Sequence, residues 1–308
     1  ISKDGNFGKV NSPYQKLGEE MENSGDPDVF SGAVNWAFAN YPARMNWLNI
    51  STHGLGFAGI NTDDNPESNM NIIQFNTALQ KGLQQRKLDM ISFDACLMAT
   101  VEVASELQDA ANIMVGSEDS TFYWGYGYYQ TFSKLAQKEM APEEIARSLV
   151  MDVNNKGAGN QTYTISATDL RKMALVEQAI DELAVVLRKN LPQHRAAIVS
   201  ALKASQPFAL AEDIPFRDMN RVLSLLKRRV NNSEINAVVE KINNVFYRKG
   251  VILFARQSKQ EDDQGRGLSI YLPLQGKVSS LYRQTRFAKS TQWDEFLLEL
   301  NTGLTGPQ

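Results

Sequence analysis

The chain has 308 residues, 43% apolar and 22% charged, with 32 basic against 35 acidic side chains and a net charge of −3; this is the make-up of an ordinary globular protein with one large domain or two modest ones. That charge sets up no field for nucleic acid or anionic lipid, and no apolar run reaches the roughly 18 residues of a membrane span. A single cysteine, Cys96, excludes an intrachain disulfide and a cysteine-cluster metal site.

In chain order, GDPDVFSGAVNWAFANYP predicts a helix capped by Asp26, with Pro27 in its first turn and Val29, Phe30, Ala33, Val34 and Ala37 at helical spacing before Tyr41-Pro42. Met45 to Thr52 reads as a short buried strand that stops at His53. A polar loop, Asn61 to Asn69, leads to a helix from Ile72 to about Gln84, and Leu88 to Ala95 reads as the second strand, ending at Cys96. A helix with Leu97, Val101, Ala104 and Leu107 on one face follows directly, then a strand from Ala111 to Ser117 and a helix from Ala141 to Val153.

QTYTISATDL predicts a further strand, with Thr168 capping a helix that runs to about Asn190. Pro192 to Lys249 is helical in pattern, with breaks at Pro207, Pro215 and Asn231 to Ser233, and two strands, Gly250 to Arg256 and Gly267 to Pro273, return to the sheet around an exposed acidic link. Strands alternating with helices imply an α/β fold with a mostly parallel sheet, its ligand crevice beyond the carboxyl ends of the strands. The expected division is 1–167 for a catalytic α/β core, 168–249 for a helical region packed on it, and 250–308 for the final strands and a last helix of the same domain.

His53 is followed by Gly54, Gly56 and Gly59, which spell the G-x-G-x-x-G of a dinucleotide loop. That motif needs a helix to begin within it, so that the helix amino terminus holds the pyrophosphate. Here the glycines run into INTDDNPESN, which has no helical periodicity, and the next acidic residue at a strand end, Asp94, is too far downstream. The loop is therefore read for its histidine. Cys96 stands 43 residues later at the end of the next strand, so the two side chains are expected to meet above neighbouring strand ends as a cysteine–histidine pair, with the following helix favouring a thiolate. His194 is read as a surface residue.

STHGLG followed by ISFDACLMATVEVASEL resembles the clostripain family of cysteine peptidases, in the caspase, legumain and gingipain clan; GDPDVFSGAVNWAFANYP, IMVGSED and GLSIYLP extend the likeness. The resemblance implies a caspase-like fold with a helical region inserted before the last strands. It also implies His53 and Cys96 as catalytic dyad, the backbone N–H groups of Gly54 and Cys96 as oxyanion hole, and hydrolysis of a peptide or protein substrate through an acyl-enzyme. Cleavage is expected after Arg or Lys, with Asp94 lining the specificity pocket. Where the family carries a second pocket acid, Trp124 aligns, so Trp124 is a substrate-binding candidate of uncharged character. Phe122, Tyr123, Tyr126, Tyr128 and Tyr129 join it in an aromatic cluster, either packing or a substrate wall.

Relatives often cut themselves between the histidine and cysteine strands, yet no Lys or Arg occurs between Arg44 and Lys81. Relatives also carry a strand and helix upstream of this start, which implies a processed or truncated polypeptide whose further sheet element is either lost or supplied by a separate upstream chain. Some members depend on calcium; Asp63, Asp64 and Glu67 are the available oxygen ligands, read here as solvated loop carboxylates, so no cofactor is required. Family habit implies secretion or a periplasmic location, while one reactive cysteine suits the cytosol equally. The competing reading is a catalytically silent or latent module that binds peptides or partner proteins in the same cleft.

Overall fold

The structure, a computed structural model, describes residues 23–64, 67–121, 125–153, 163–208, 214–258 and 266–302. Nine strands are present among them: β1 (Trp47–Ser51), β2 (Ile60–Asp64), β3 (Glu67–Met70), β4 (Leu88–Asp94), β5 (Ala111–Gly116), β6 (Thr164–Asp169), β7 (Phe216–Asp218), β8 (Ile252–Gln257) and β9 (Ser269–Tyr271). Five of them build the central sheet in the order β1-β4-β5-β6-β8. The pairs β1/β4 and β4/β5 are parallel and β6 is antiparallel to both its neighbours, so four of the five strands point the same way. This is the mostly parallel α/β sheet that the sequence implies.

Alternation of side chains along the strands supplies two apolar faces. Ile91, Phe93 and Met114 belong to one core with α1 (Pro27–Asn40), α2 (Ile72–Leu83), α3 (Val101–Leu107) and the long α6 (Met173–Ala204). Met90, Ile113, Val115, Ile165 and Ala167 face a second core with α5 (Pro142–Met151). Between these layers every strand but the edges is buried on both faces, which is why β4 and β5 read as apolar runs.

The start of α1 is as the sequence predicts: the Asp26 carboxylate accepts the N–H groups of Asp28 at 2.7 Å and Val29 at 3.3 Å, with Pro27 at the first helical position. The helix α2 opens with a reciprocal capping box between Asn71 and Gln74.

Four expectations change. The segment read as a polar loop is the antiparallel hairpin β2–β3; its side chains are polar, but its backbone pairs. Thr168 lies inside β6, and the cap is Asp169, which accepts Arg171 N–H at 3.2 Å to start a short 3-10 turn ahead of α6. The helix α6 continues past Asn190 and through Pro192, whose side chain is on the exposed side of the helix. Finally, the strand around Gly267–Pro273 does not join the central sheet: β9 pairs with the three-residue β7 in a separate antiparallel ribbon and meets α3 and its cap through a bridge between Ser269 and Thr100 and through Tyr271 N–H, which donates to Glu102 at 2.9 Å.

The remaining helices are α4 (Tyr128–Leu135), α7 (Met219–Arg229), α8 (Ser233–Asn243), α9 (Arg286–Ser290) and α10 (Trp293–Thr302). Among the described residues no helix is long and apolar enough to cross a membrane.

Candidate active site

The site is built by strand register. Ser51 at the end of β1 pairs with Asp94 at the end of β4, and Thr52 N–H donates to the Asp94 carbonyl at 3.3 Å. His53 and Cys96 each stand two residues beyond that pair, on neighbouring parallel strands spaced about 4.8 Å apart. The structure thus carries both residues to the same end of the sheet, His53 exposed and Cys96 half-buried.

The histidine loop is fixed by its glycines. Gly54 bridges to Ile60, and Leu55 N–H donates to the Gly59 carbonyl at 2.8 Å, which folds residues 54–60 back on themselves. A Cβ on Gly54 would lie 2.4 Å from the carbonyl oxygen of Cys96, so only glycine allows this approach. Gly56 has φ +58° and faces the ring of Phe216, with 2.3 Å left for a Cβ. Only a three-residue 3-10 turn, Gly56–Ala58, lies inside the glycine motif before β2 starts at Ile60, so no α-helix amino terminus is there to hold a pyrophosphate. The fully buried Phe57 then anchors the loop in a ring cluster with Phe216, Tyr271 and Tyr282, at centroid distances of 5.7, 5.2 and 5.5 Å.

Cys96 sits in a turn rather than at a helix start. Leu97 is left-handed at φ +61°, a strained conformation for a γ-branched side chain, and α3 begins only at Val101 with the Thr100 hydroxyl on Val103 N–H. The helix-dipole expectation is therefore corrected: Thr100, not Cys96, occupies the helix amino terminus. What faces the sulfur instead is the segment after β5. Thr121 N–H donates to Cys96 Sγ at 3.4 Å and Thr121 Oγ1 lies 3.7 Å from it. The turn is held to that segment by Leu97 N–H on the Asp119 carbonyl at 3.1 Å and Ala99 N–H on the Ser117 carbonyl at 2.8 Å. Among the described residues, the N–H groups of Gly54 and Cys96 have no protein acceptor.

Asp94 is half-buried, and burial raises its carboxyl above the usual range, opposed only by the Tyr128 hydroxyl, which donates to Oδ2 at 3.0 Å. No cation partners it among the described residues. Gly125, at φ +69°, brings its backbone against the same oxygen; a Cβ there would lie 2.2 Å away. Behind Asp94 a polar row crosses the strands: Trp47 Nε1 donates to Ser92 Oγ at 2.7 Å, Ser92 Oγ to Asn49 Oδ1 at 2.5 Å, and the Tyr128 oxygen is 3.2 Å from Asn49 Oδ1.

A second acid lies in the segment that holds the cysteine turn. Glu118 is buried, accepts Gly267 N–H at 2.8 Å, and is held well above the ordinary glutamate range by burial and by the neighbouring Asp218 carboxylate. Sequence reasoning missed Thr121, Asn49, Gly125 and Glu118, and left Tyr128 within an aromatic cluster. The available signal was polar residues at period two, Asn49 and Ser51 beside Ser92 and Asp94, in strands otherwise apolar.

Trp124, with Phe122 and Tyr123, lies outside the described residues. Of the other aromatics, Tyr126 is buried with its hydroxyl on the Phe93 carbonyl, while Tyr129 is exposed. Asp63, Asp64 and Glu67 stand on β2 and β3, and their side chains are outside the described set. His194 is half-buried on α6, away from the strand ends.

Comparison with known proteins finds relatives by sequence and by fold. Clostripain of Hathewaya histolytica is 23% identical over 316 residues, which cover 84% of this chain and 59% of the relative, so the chain spans less than two thirds of that protein's length. Among solved structures, a secreted C11 cysteine protease from Bacteroides thetaiotaomicron in complex with an irreversible peptide inhibitor superposes with a TM-score of 0.61 at 22% identity, covering 89% of this chain and 80% of that one. An inactive zymogen C11 protease from Parabacteroides distasonis gives the same TM-score at 19% identity, covering 88% of this chain and 77% of its own. At those identities the likeness is one of fold. The family model described as the clostripain family matches residues 1–300, and the chain belongs to the clostripain family.

Proposed function

We propose that the protein is a cysteine endopeptidase that cleaves after arginine or lysine, with Cys96 as nucleophile, His53 as general acid and base, and Asp94 as the acid that receives the basic side chain. The observation that carries this reading is the Ser51–Asp94 register, which sets a histidine, a cysteine and an uncompensated carboxylate at one sheet end.

Cys96 Sγ attacks the scissile carbonyl carbon, and the Gly54 and Cys96 amides, free of protein acceptors among the described residues, stabilise the oxyanion. His53 protonates the leaving amine as the C–N bond breaks, then takes a proton from the water that hydrolyses the thioester. A half-buried carboxylate with no cation of its own favours a substrate that brings one and disfavours a neutral side chain that would leave it uncompensated. Clostripain kinship is consistent with this choice.

Secretion or a periplasmic location belongs to the same proposal, in line with the relative described as secreted. The outer edge of β1 has no partner strand among the described residues, and an upstream strand, from this chain or a separate one, would add there. No cofactor enters the scheme.

The test is hydrolysis of peptide coumarins ending in Arg, Lys, Asn, Asp or Ala by wild type and Cys96→Ala. Cleavage after Arg and Lys, lost in the variant, is the expected result. A different preferred residue discards Asp94 as the pocket acid and keeps the dyad. If nothing is cleaved and an alkylating agent leaves Cys96 unlabelled, the result favours a latent enzyme or a binding module.

A further inference from the structure

Away from the strand ends, the β7–β9 ribbon closes one side of a cavity of about 550 Å³ whose described lining includes Lys203, Arg217, Tyr271, Gln275 and Lys277 and contains no carboxylate. Side chains alternate along β7: Phe216 enters the ring cluster beneath Gly56, Asp218 caps α7, and Arg217 between them lines the cavity.

Arg217 is the only buried basic side chain among the described residues, 6% exposed. Its NH1 group donates to the Leu272 carbonyl at 3.1 Å, while Nε is buried without a partner among the described residues. Among the described residues no carboxylate faces it, and burial pushes its pKa down to about 10. A guanidinium removed from water without an anion or a full set of acceptors is destabilising. Several other cations have acidic partners: Arg171 with Asp169, Arg188 with Glu299, Lys189 with Glu234. Lys203, in the last turn of α6, and Lys277 are exposed at the mouth of the same cavity and make no ion pair among the described residues.

Three unmatched cations around one concave space, one of them buried with an orphaned donor, have the chemistry of an anion site. We propose that this cavity binds a small oxyanion, a phosphate or a polycarboxylate, whose oxygens take the free guanidinium donors of Arg217 while Lys203 and Lys277 supply charge at the rim. The planar fork of arginine suits two oxygens of one such group, and the lysines add attraction without fixed direction. None of these residues belongs to the peptidase proposal, so the two readings stand or fall separately.

The full chain is titrated with sodium phosphate and with sodium citrate, against sodium chloride at matched ionic strength, by calorimetry and thermal melting. The expected result is one saturable equivalent of one or both anions and a Tm that rises with its concentration. The anion that binds more tightly identifies the class. The double variant Lys203→Gln/Lys277→Gln, which leaves the buried guanidinium in place, is expected to weaken binding at least tenfold, and Arg217→Gln to abolish it. Absence of saturable binding by both anions, or binding unchanged in the lysine variant, overturns the proposal even if Arg217→Gln fails to fold.

Discussion

The backbone of Gly54 rests on the carbonyl of Cys96 so closely that a Cβ would lie 2.4 Å from that oxygen. The histidine loop and the cysteine turn are therefore one packed unit. Gly54→Ala must move one of two backbones, and an activity loss of at least about tenfold in kcat/KM, equivalent to about 1.4 kcal/mol, is expected together with a lower Tm. Gly32→Ala, in exposed α1 with nothing within 4 Å of the new Cβ, is the matched control and should raise stability by about 1 kcal/mol. Equal effects of the two substitutions would show that the contact does not matter.

Asp94→Asn keeps the size of the pocket acid and removes its charge. The expected result is a fall of about 100-fold in kcat/KM for Arg and Lys substrates, with little change for a neutral one. A uniform fall across all substrates would make Asp94 a structural cap of the strand end.

Tyr128→Phe removes the hydroxyl that alone opposes the burial of Asp94. The Asp94 pKa then rises further, so the carboxylate form needed for a basic substrate is lost at a higher pH on acidification. The acid limb of the kcat/KM profile should move to higher pH for Arg substrates and stay fixed for a neutral substrate; stopped assays across pH 4 to 8 would show the split.

Glu102 on α3 is fully buried, accepts Tyr271 N–H at 2.9 Å, and has its pKa raised by burial from 4.5 to about 7. The folded state holds this proton where the unfolded state has released it. The contribution is thus fully present below about pH 4.5 and lost as pH rises to about 7, by roughly 3 kcal/mol. Glu102→Gln keeps the acceptor for Tyr271 and removes the titration, so urea unfolding of the variant should lose less stability than wild type between those two values. Parallel slopes would place the pH dependence elsewhere.

Much of the half that carries His53 and Cys96 was legible because its signals are local. Asp26-Pro27 marks a helix start by capping chemistry, and the apolar runs ending at Ser51 and Asp94 mark strands whose ends carry His53 and Cys96. The rest depended on contacts distant in sequence. Nothing in TISATD states that β6 runs against its neighbours, and β7 has three residues, too few for a period. The hairpin β2–β3 pairs through its backbone while its side chains read as a loop. The left-handed Leu97 broke the expected continuity from Cys96 into α3, because positive φ at leucine carries no sequence mark. Thr121 reaches the sulfur only through the fold, from 25 residues away.

The Ser51–Asp94 register also means that the site is assembled laterally, by hydrogen bonds between β1 and β4, with the β2–β3 hairpin and α2 as the covalent detour between them. Severing the polypeptide in that detour leaves both strand ends where they were. Two fragments, one ending and the other starting within the hairpin, have the interlocking surfaces to reconstitute the whole site by complementation, which makes this segment the natural place to split the protein into a conditional reporter.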